Sequence, residues 1–412
     1  MEKEALKLVL VGSIDHGKST VIGRLFHDTG SLPDGKLEEI RQASEEEGKE
    51  LEFGFIMDHL HEERERGVTI DTAQAFFSTE RRDYVIIDAP GHKEFLKNMI
   101  TGASQADAAV LICSAYEGVE EQTRRHTYVL KLLGLEQTIV AYNKMDLVGY
   151  DKHRFEEVRR DLHEFLKRID VRPALEIPIS AKCGDNIAEL SENMPWYEGP
   201  TVLGALDTFE KGEAPVQKPV RFPVQDIYDV EGRQIVVGRV ESGVLQRGQQ
   251  LLFLPGKRTR TVSEILKFGE PDLAQVACGE CIGVVFEADG FERGEVGCPP
   301  ESPAKPTDAI EASVFWLARE PLSAGEELSL RCSTQQKSCR IETIRERVDS
   351  SSLEHLEQNA SQLQETEVGE VTIRTDSPMV AELFTDVPEL GRFVLVRGRD
   401  VVAGGIVTDT GA

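Results

Sequence analysis

The stretch that most limits what this chain can fold into lies near its start: Gly12-Ser13-Ile14-Asp15-His16-Gly17-Lys18-Ser19. It fits G-x-x-x-x-G-K-[ST] without departure, follows the apolar run Leu8-Val9-Leu10-Val11 and leads into a helical stretch from Thr20. Strand, glycine loop and helix start, in that order, form a phosphate cradle. The glycines let the loop bend and aim backbone N–H groups at phosphates, and the helix start adds positive dipole. Lys18 is expected to bridge the outer phosphates and the Ser19 hydroxyl to bind magnesium. Asp15, His16, Gly17 and Thr20 complete the candidate cradle, with Asp15 also a candidate for a monovalent cation. Such a loop needs a βα unit around it, and therefore an α/β domain.

The N-terminal half carries that rhythm. Tyr84–Ile87, Ala108–Ile112, Thr138–Tyr142 and Glu176–Ile179 read as further strands, separated by amphipathic stretches such as Glu121–Leu133 and Arg154–Ile169. A mainly parallel sheet covered on both faces is expected. Asp88-Ala89-Pro90-Gly91 follows one strand. Asp88 there is suited to hold a magnesium shell through water, and the Gly91 N–H to meet a γ-phosphate. Arg64–Ile70 is the expected first switch, with Thr69 on magnesium in the triphosphate state. His92 is the expected catalytic residue, orienting the attacking water.

Asn143-Lys144-Met145-Asp146 closes another strand. Asp146 is suited to accept from the guanine N1–H and exocyclic amine, for which adenine has no matching donors. Asn143 is expected to tie the loop down, Lys144 to stack on the base, and Ser180-Ala181-Lys182 to supply a backbone donor for the guanine carbonyl. GTP/GDP with Mg2+ is thus the expected ligand set.

At 412 residues the chain exceeds one ordinary core. Strand signals with glycine turns follow Lys211–Pro215, and Pro299–Pro306 reads as a linker. The expected architecture is multidomain: an N-terminal α/β P-loop domain over 1–212, then two β-barrel domains over 217–303 and 307–412. Lys36–Arg66 reads as a charged helical insertion, a solvated face that needs no function. The net charge of -26 argues against indiscriminate nucleic-acid binding, while leaving room for a local basic patch. Seven cysteines, an odd number thinly spread, suit a reducing compartment. Cys278, Cys281 and Cys298 read as small buried residues sooner than a zinc set, since no second CxxC or histidine pair completes four ligands. With no apolar run of spanning length and no basic leader, a cytoplasmic protein without a membrane partner is expected.

These motifs, Gly12–Ser19, Arg64–Ile70, Asp88–His92 and Asn143–Asp146, resemble the elongation factor Tu and 1A superfamily of translation-factor GTPases, and so does the three-domain layout. Within it, Gly23-Arg24-Leu25-Phe26-His27-Asp28, Gln122–His126 and Phe315–Gly325 resemble the GTPase subunit of sulfate adenylyltransferase, and Ser191–Thr201 is similar to both branches, its serine–glutamate opening leaning the same way. His16, Gly238–Gly243, Arg293–Val296 and Leu390–Phe393 resemble elongation factor 1A instead. The first resemblance implies GTP hydrolysis coupled to adenylylsulfate synthesis by a partner, the ATP-using catalytic subunit of sulfate adenylyltransferase, with no nucleic acid involved. The second implies a translation GTPase that delivers aminoacyl-tRNA. A GTP-dependent assembly protein is the third reading. Sulfate activation is the leading expectation, and all three share one hydrolytic centre.

Overall fold

The N-terminal sheet is built from β1 (Ala5–Gly12), β2 (Gln74–Ser78), β3 (Asp83–Asp88), β4 (Ala108–Ser114), β5 (Thr138–Asn143) and β6 (Leu175–Pro178). The computed structural model describes residues 5–32, 74–88, 106–135, 137–210, 216–230, 232–267, 269–270 and 273–411. The sheet order is β2-β3-β1-β4-β5-β6. β2 is antiparallel to β3, and the other neighbours are parallel. β4 and β5 are buried at every position, as strands covered on both faces must be. The strand order reverses at β1, and ligands of α/β sheets lie beyond the C-terminal strand ends at such a point. The loop Gly12–Ser19 leaves β1 from that end.

Four helices accompany the sheet among the described residues: α1 (Lys18–Asp28), α2 (Glu121–Leu132), α3 (Lys152–Arg168) and the short α4 (Val202–Leu206). α3 shows why these stretches are helical. Phe155, Val158, Leu162, Phe165 and Leu166 recur at three- and four-residue steps and are its buried face. Asp151 caps its start by accepting from the His153 N–H at 2.9 Å. α1 sends Val21, Ile22, Leu25 and Phe26 into one cluster with Leu6, Leu8 and Leu10 of β1. That packing fixes the helix start that follows the phosphate loop.

Two compact units divide the chain, Met1–Lys211 and Gly212–Ala412. The second holds two barrels. The first barrel draws on β7 (Phe222–Val230), β8 (Arg233–Arg239), β9 (Val244–Gln246), β10 (Gln250–Leu254), β11 (Arg258–Leu266), β12 (Gln275–Ala277), β13 (Cys281–Phe286) and β14 (Val296–Cys298). It closes in the order β10-β11-β13-β8-β7-β14, while β9 and β12 pair separately. Phe222, Leu251, Phe253 and Val284 fill it and are fully buried.

The second barrel uses β15 (Pro306–Trp316), β16 (Leu322–Ser323), β17 (Glu327–Cys332), β18 (Gln335–Asp349), β19 (His355–Ala360), β20 (Gln362–Leu363), β21 (Glu367–Val380), β22 (Arg392–Arg397) and β23 (Asp400–Asp409), with the helical turn α5 (Pro388–Gly391) before β22. Its sheet runs β17-β22-β23-β15-β21-β18-β19, and pairing of β17 with β18 closes it. β17 alternates buried Leu328, Leu330 and Cys332 with outward polar residues, the period of a half-buried strand.

A seam joins the barrels. Leu254, Val296 and Cys298 of the first pack with Ala304 of the connection and with Val380, Val387 and Leu390 of the second. Beside it Arg221, 7% exposed, donates from Nε to Glu382 Oε1 at 2.7 Å and from Nη1 to the Ser302 carbonyl at 3.1 Å.

The expected fold class stands: a P-loop domain followed by two closed barrels. The insertion read over Lys36–Arg66 lies outside the described residues. Cys278 and Cys298 are buried and Cys281 is exposed, and no group of three metal-binding side chains forms among the described residues. No described helix is long and apolar enough to cross a membrane.

Candidate functional site

The phosphate loop turns through a short 3-10 segment, Ile14–His16, before α1. Gly17 sits at φ 86°, left-handed backbone that a side chain resists. A Cβ there would also lie 2.5 Å from Asn143 Nδ2, so position 17 is closed to other residues on two counts. Lys18 is 7% exposed, and its ammonium donates to the Gly12 carbonyl at 2.7 Å and the Ser13 carbonyl at 3.0 Å. The charge is thereby held over the loop. Ser19 is exposed in the first turn of α1, and Asp15 is exposed in the 3-10 segment.

His16 has a different position from that of a ligand-facing side chain. It is fully buried, with Nδ1 3.3 Å from the Ile112 carbonyl and Nε2 3.5 Å from Glu120 Oε2. Burial lowers its affinity for a proton, against the pull of the Ile112 carbonyl and Glu120. What His16 offers the site is its backbone: its carbonyl accepts from Asn143 Nδ2 at 2.9 Å.

Asn143 is the junction of the site. It is 3% exposed at the end of β5, and its Oδ1 accepts from the Ala181 N–H at 3.0 Å while Nδ2 holds His16. One amide thus ties the phosphate loop to the Ser180-Ala181-Lys182 loop. Lys144 follows at φ 65°, a strained conformation for a lysine. Its Nζ donates to Glu117 Oε1 at 2.7 Å. Burial opposes ionisation of Glu117, yet hydrogen bonds from Lys144 and Ser114 keep its carboxyl below the usual range. Asp146 Oδ1 accepts from the Ser180 hydroxyl at 2.7 Å, which fixes the carboxylate and leaves its other lone pairs for a ligand.

Glu117, Glu120 and Arg154 hold this site together and have no motif to announce them. Arg154 donates from Nε to the Ala115 carbonyl at 2.8 Å and from Nη2 to the Tyr116 carbonyl at 3.0 Å. The one sequence signal is position: Glu120 directly precedes α2. Asp88 ends β3, and its backbone pairs with Leu10 of β1, two residues before the phosphate loop. Thr69, Gly91 and His92 lie outside the described residues.

The fold and the loop therefore define a P-loop nucleotide-binding protein with two appended barrels. Residues 3–201 match the family model described as elongation factor Tu GTP binding domain, and residues 309–408 match GTP-eEF1A C-terminal domain-like. Elongation factor 1-alpha of Methanopyrus kandleri is 42% identical over 98% of this chain and 97% of its own length. The same factor of Thermoplasma acidophilum is 41% identical over 98% and 97%, and that of Methanoculleus marisnigri 39% over 99% and 98%. The chain also aligns with the crystal structure of sup35 complexed with GMPPNP at 25% identity, covering 99% of this chain and 94% of that one. The TM-score there is 0.47, too low to add to the assignment. The chain belongs to the elongation factor 1-alpha family, and its first domain is a GTP-binding domain.

The leading expectation from sequence, a GTPase subunit of sulfate adenylyltransferase working with an ATP-using catalytic subunit, is thereby overturned. These relatives, matched end to end, are elongation factors. The structure gives the physical reason for the misreading. Leu25 and Phe26 of the run Gly23–Asp28 are core residues of α1, and Arg24 pairs with Asp28 one turn on. His126 is buried, as is Trp316, whose Nε1 donates to the Glu320 carbonyl at 2.9 Å. Those words mark how helices and strands pack, not what the protein works with.

Proposed function

We propose that the chain is a translation GTPase that binds aminoacyl-tRNA in its GTP state and releases it after hydrolysis. The observation that carries this reading is the 42% identity to an elongation factor 1-alpha over 98% of the chain. The same reading implies the cytoplasm, where charged tRNA and ribosomes are.

In this reading Asp146 selects guanine, Lys144 lies along the base, and the loop amides with Lys18 neutralise the phosphates. Magnesium fits the donor set, because hydroxyl and carboxylate oxygens suit a small hard cation. Ser19 and Thr69 would hold it directly and Asp88 through water, and bound there it would draw charge from the phosphate oxygens. A monovalent cation beside Asp15 belongs to the same reading. His92 orients the attacking water. In phosphoryl transfer such positioning and charge stabilisation outweigh proton abstraction.

The test is protection of the aminoacyl ester of charged tRNA from spontaneous hydrolysis, with the chain in GTP and in GDP. Protection in GTP only supports the reading. Equal decay in both states, with GTP demonstrably bound, would move the chain to the class of GTP-dependent assembly proteins.

A further inference from the structure

We infer that the loop from β4 to α2, residues 115–120, is a two-ended bracket for the nucleotide, in which Glu120 positions the phosphate loop and Glu117 positions the base loop. This deepens the GTP-binding reading and rests on it.

Glu120 precedes α2, where a short side chain would normally cap the helix, yet its carboxylate makes no cap hydrogen bond. It turns instead to the phosphate loop. It accepts from the Ser13 hydroxyl and stands 3.5 Å from His16 Nε2. Ser13 precedes the 3-10 segment and His16 ends it, so one carboxylate meets both ends of that turn. Three residues earlier, Glu117 accepts from Lys144 Nζ at 2.7 Å and from the Ser114 hydroxyl. The bracket is itself held by Arg154 through the Ala115 and Tyr116 carbonyls, and by the Gly118 N–H to the Ser114 carbonyl at 2.9 Å.

An exposed ion pair would contribute little. Here the Glu120 carboxylate is 46% exposed, but its partners are not: Ser13 is 5% exposed and His16 fully buried. A hydrogen bond to a charged acceptor from a fixed, buried donor keeps its strength. Losing it frees the first half of the loop whose amides face the phosphates. Base contacts run through Lys144 and Asp146 and are left alone. The two carboxylates should therefore separate by which part of the nucleotide feels their loss.

The experiment measures affinity for GDP and GMP, and the release rate of fluorescent GDP, in the full chain and its variants. Glu120→Ala and Ser13→Ala should each speed GDP release about tenfold, the loss of one charge-assisted hydrogen bond. The double variant should be no faster than Glu120→Ala, because Ser13 acts through that carboxylate. Glu120→Gln, which keeps an acceptor for Ser13, should stay within about threefold of the parent. GMP affinity should stay within about twofold in the Glu120 variants, whereas Glu117→Ala should weaken GMP and GDP by the same factor. Additive effects of Ser13 and Glu120, or equal loss of GMP and GDP in Glu120→Ala, would overturn the inference. A melting curve equal to the parent's separates loosened binding from misfolding, and Glu120→Gln serves if Glu120→Ala does not fold. If the parent itself fails to retain GDP, the GTP-binding reading falls instead.

Discussion

Cutting Asn143 back to alanine would leave the His16 carbonyl and the Ala181 N–H without their partner in a place only 3% exposed. Two buried hydrogen bonds lost in this way cost about 2–4 kcal/mol. Asn143→Ala should therefore lower the urea midpoint of the N-terminal unit as well as weaken GDP binding. An effect on binding alone would show that the amide does not brace the loops. Asp146→Asn tests the base reading. An amide places a donor where guanine also donates, so GTP affinity should fall about a hundredfold, while a xanthine nucleotide, with a carbonyl at that place, gains. Titration with both nucleotides checks it. At this scale the sequence points to a residue where its spacing from a neighbour carries the signal, as for Gly17, Lys18, Asn143 and Asp146. Glu120 acts on Ser13 across 107 positions, and no local pattern records such a contact.

Elements were legible where apolar periodicity is strong. The central strands and α3 follow directly from their buried runs, and the barrel strands from alternation between glycine turns. What misled was the text on those elements: Leu25, Phe26, His126 and Trp316 are packing residues, and packing solutions drift between branches that share a chemistry. The turn after β8 carries a pH-dependent burden. Glu241, 11% exposed, has its carboxyl raised from 4.5 to about 7, mainly by burial and then by Glu389, against Arg239 and Arg392. Below the ordinary range the group is protonated in both folded and unfolded chains and costs nothing. As pH rises towards 7 the unfolded chain ionises first, so folding loses stability, by about 3 kcal/mol in all, and the loss is then constant. Glu241→Gln should thus be more stable than the parent at pH 8, with the difference shrinking towards pH 5. Urea midpoints across that range decide it, and a difference independent of pH would rule out ionisation of the buried carboxyl as its cause.

For the molecule as a whole, a net charge of -26 stores self-repulsion in the folded state. Added salt shortens its reach from about 10 Å at 0.1 M to about 3 Å at 1 M. The thermal midpoint should rise between those concentrations of potassium chloride, by a few degrees or more, and a flat response would mean that the charges are already locally paired. The three-part layout was readable from the change of pattern near Lys211 and from the Pro299–Pro306 stretch. The branch was not, because one GTP-binding architecture serves several pathways, and the expectation of sulfate activation fell to relatives matched along the whole chain.

The seam between the barrels also bears on descent. Cys298 of one barrel, Ala304 of the connection and Leu390 of the other share one buried cluster, and Arg221 reaches Glu382 across it. A gene fragment encoding the first barrel alone would arrive in a new host with its side of the seam facing water and Arg221 parted from its carboxylate. Recombination should therefore have passed the two barrels on together, as one heritable cassette.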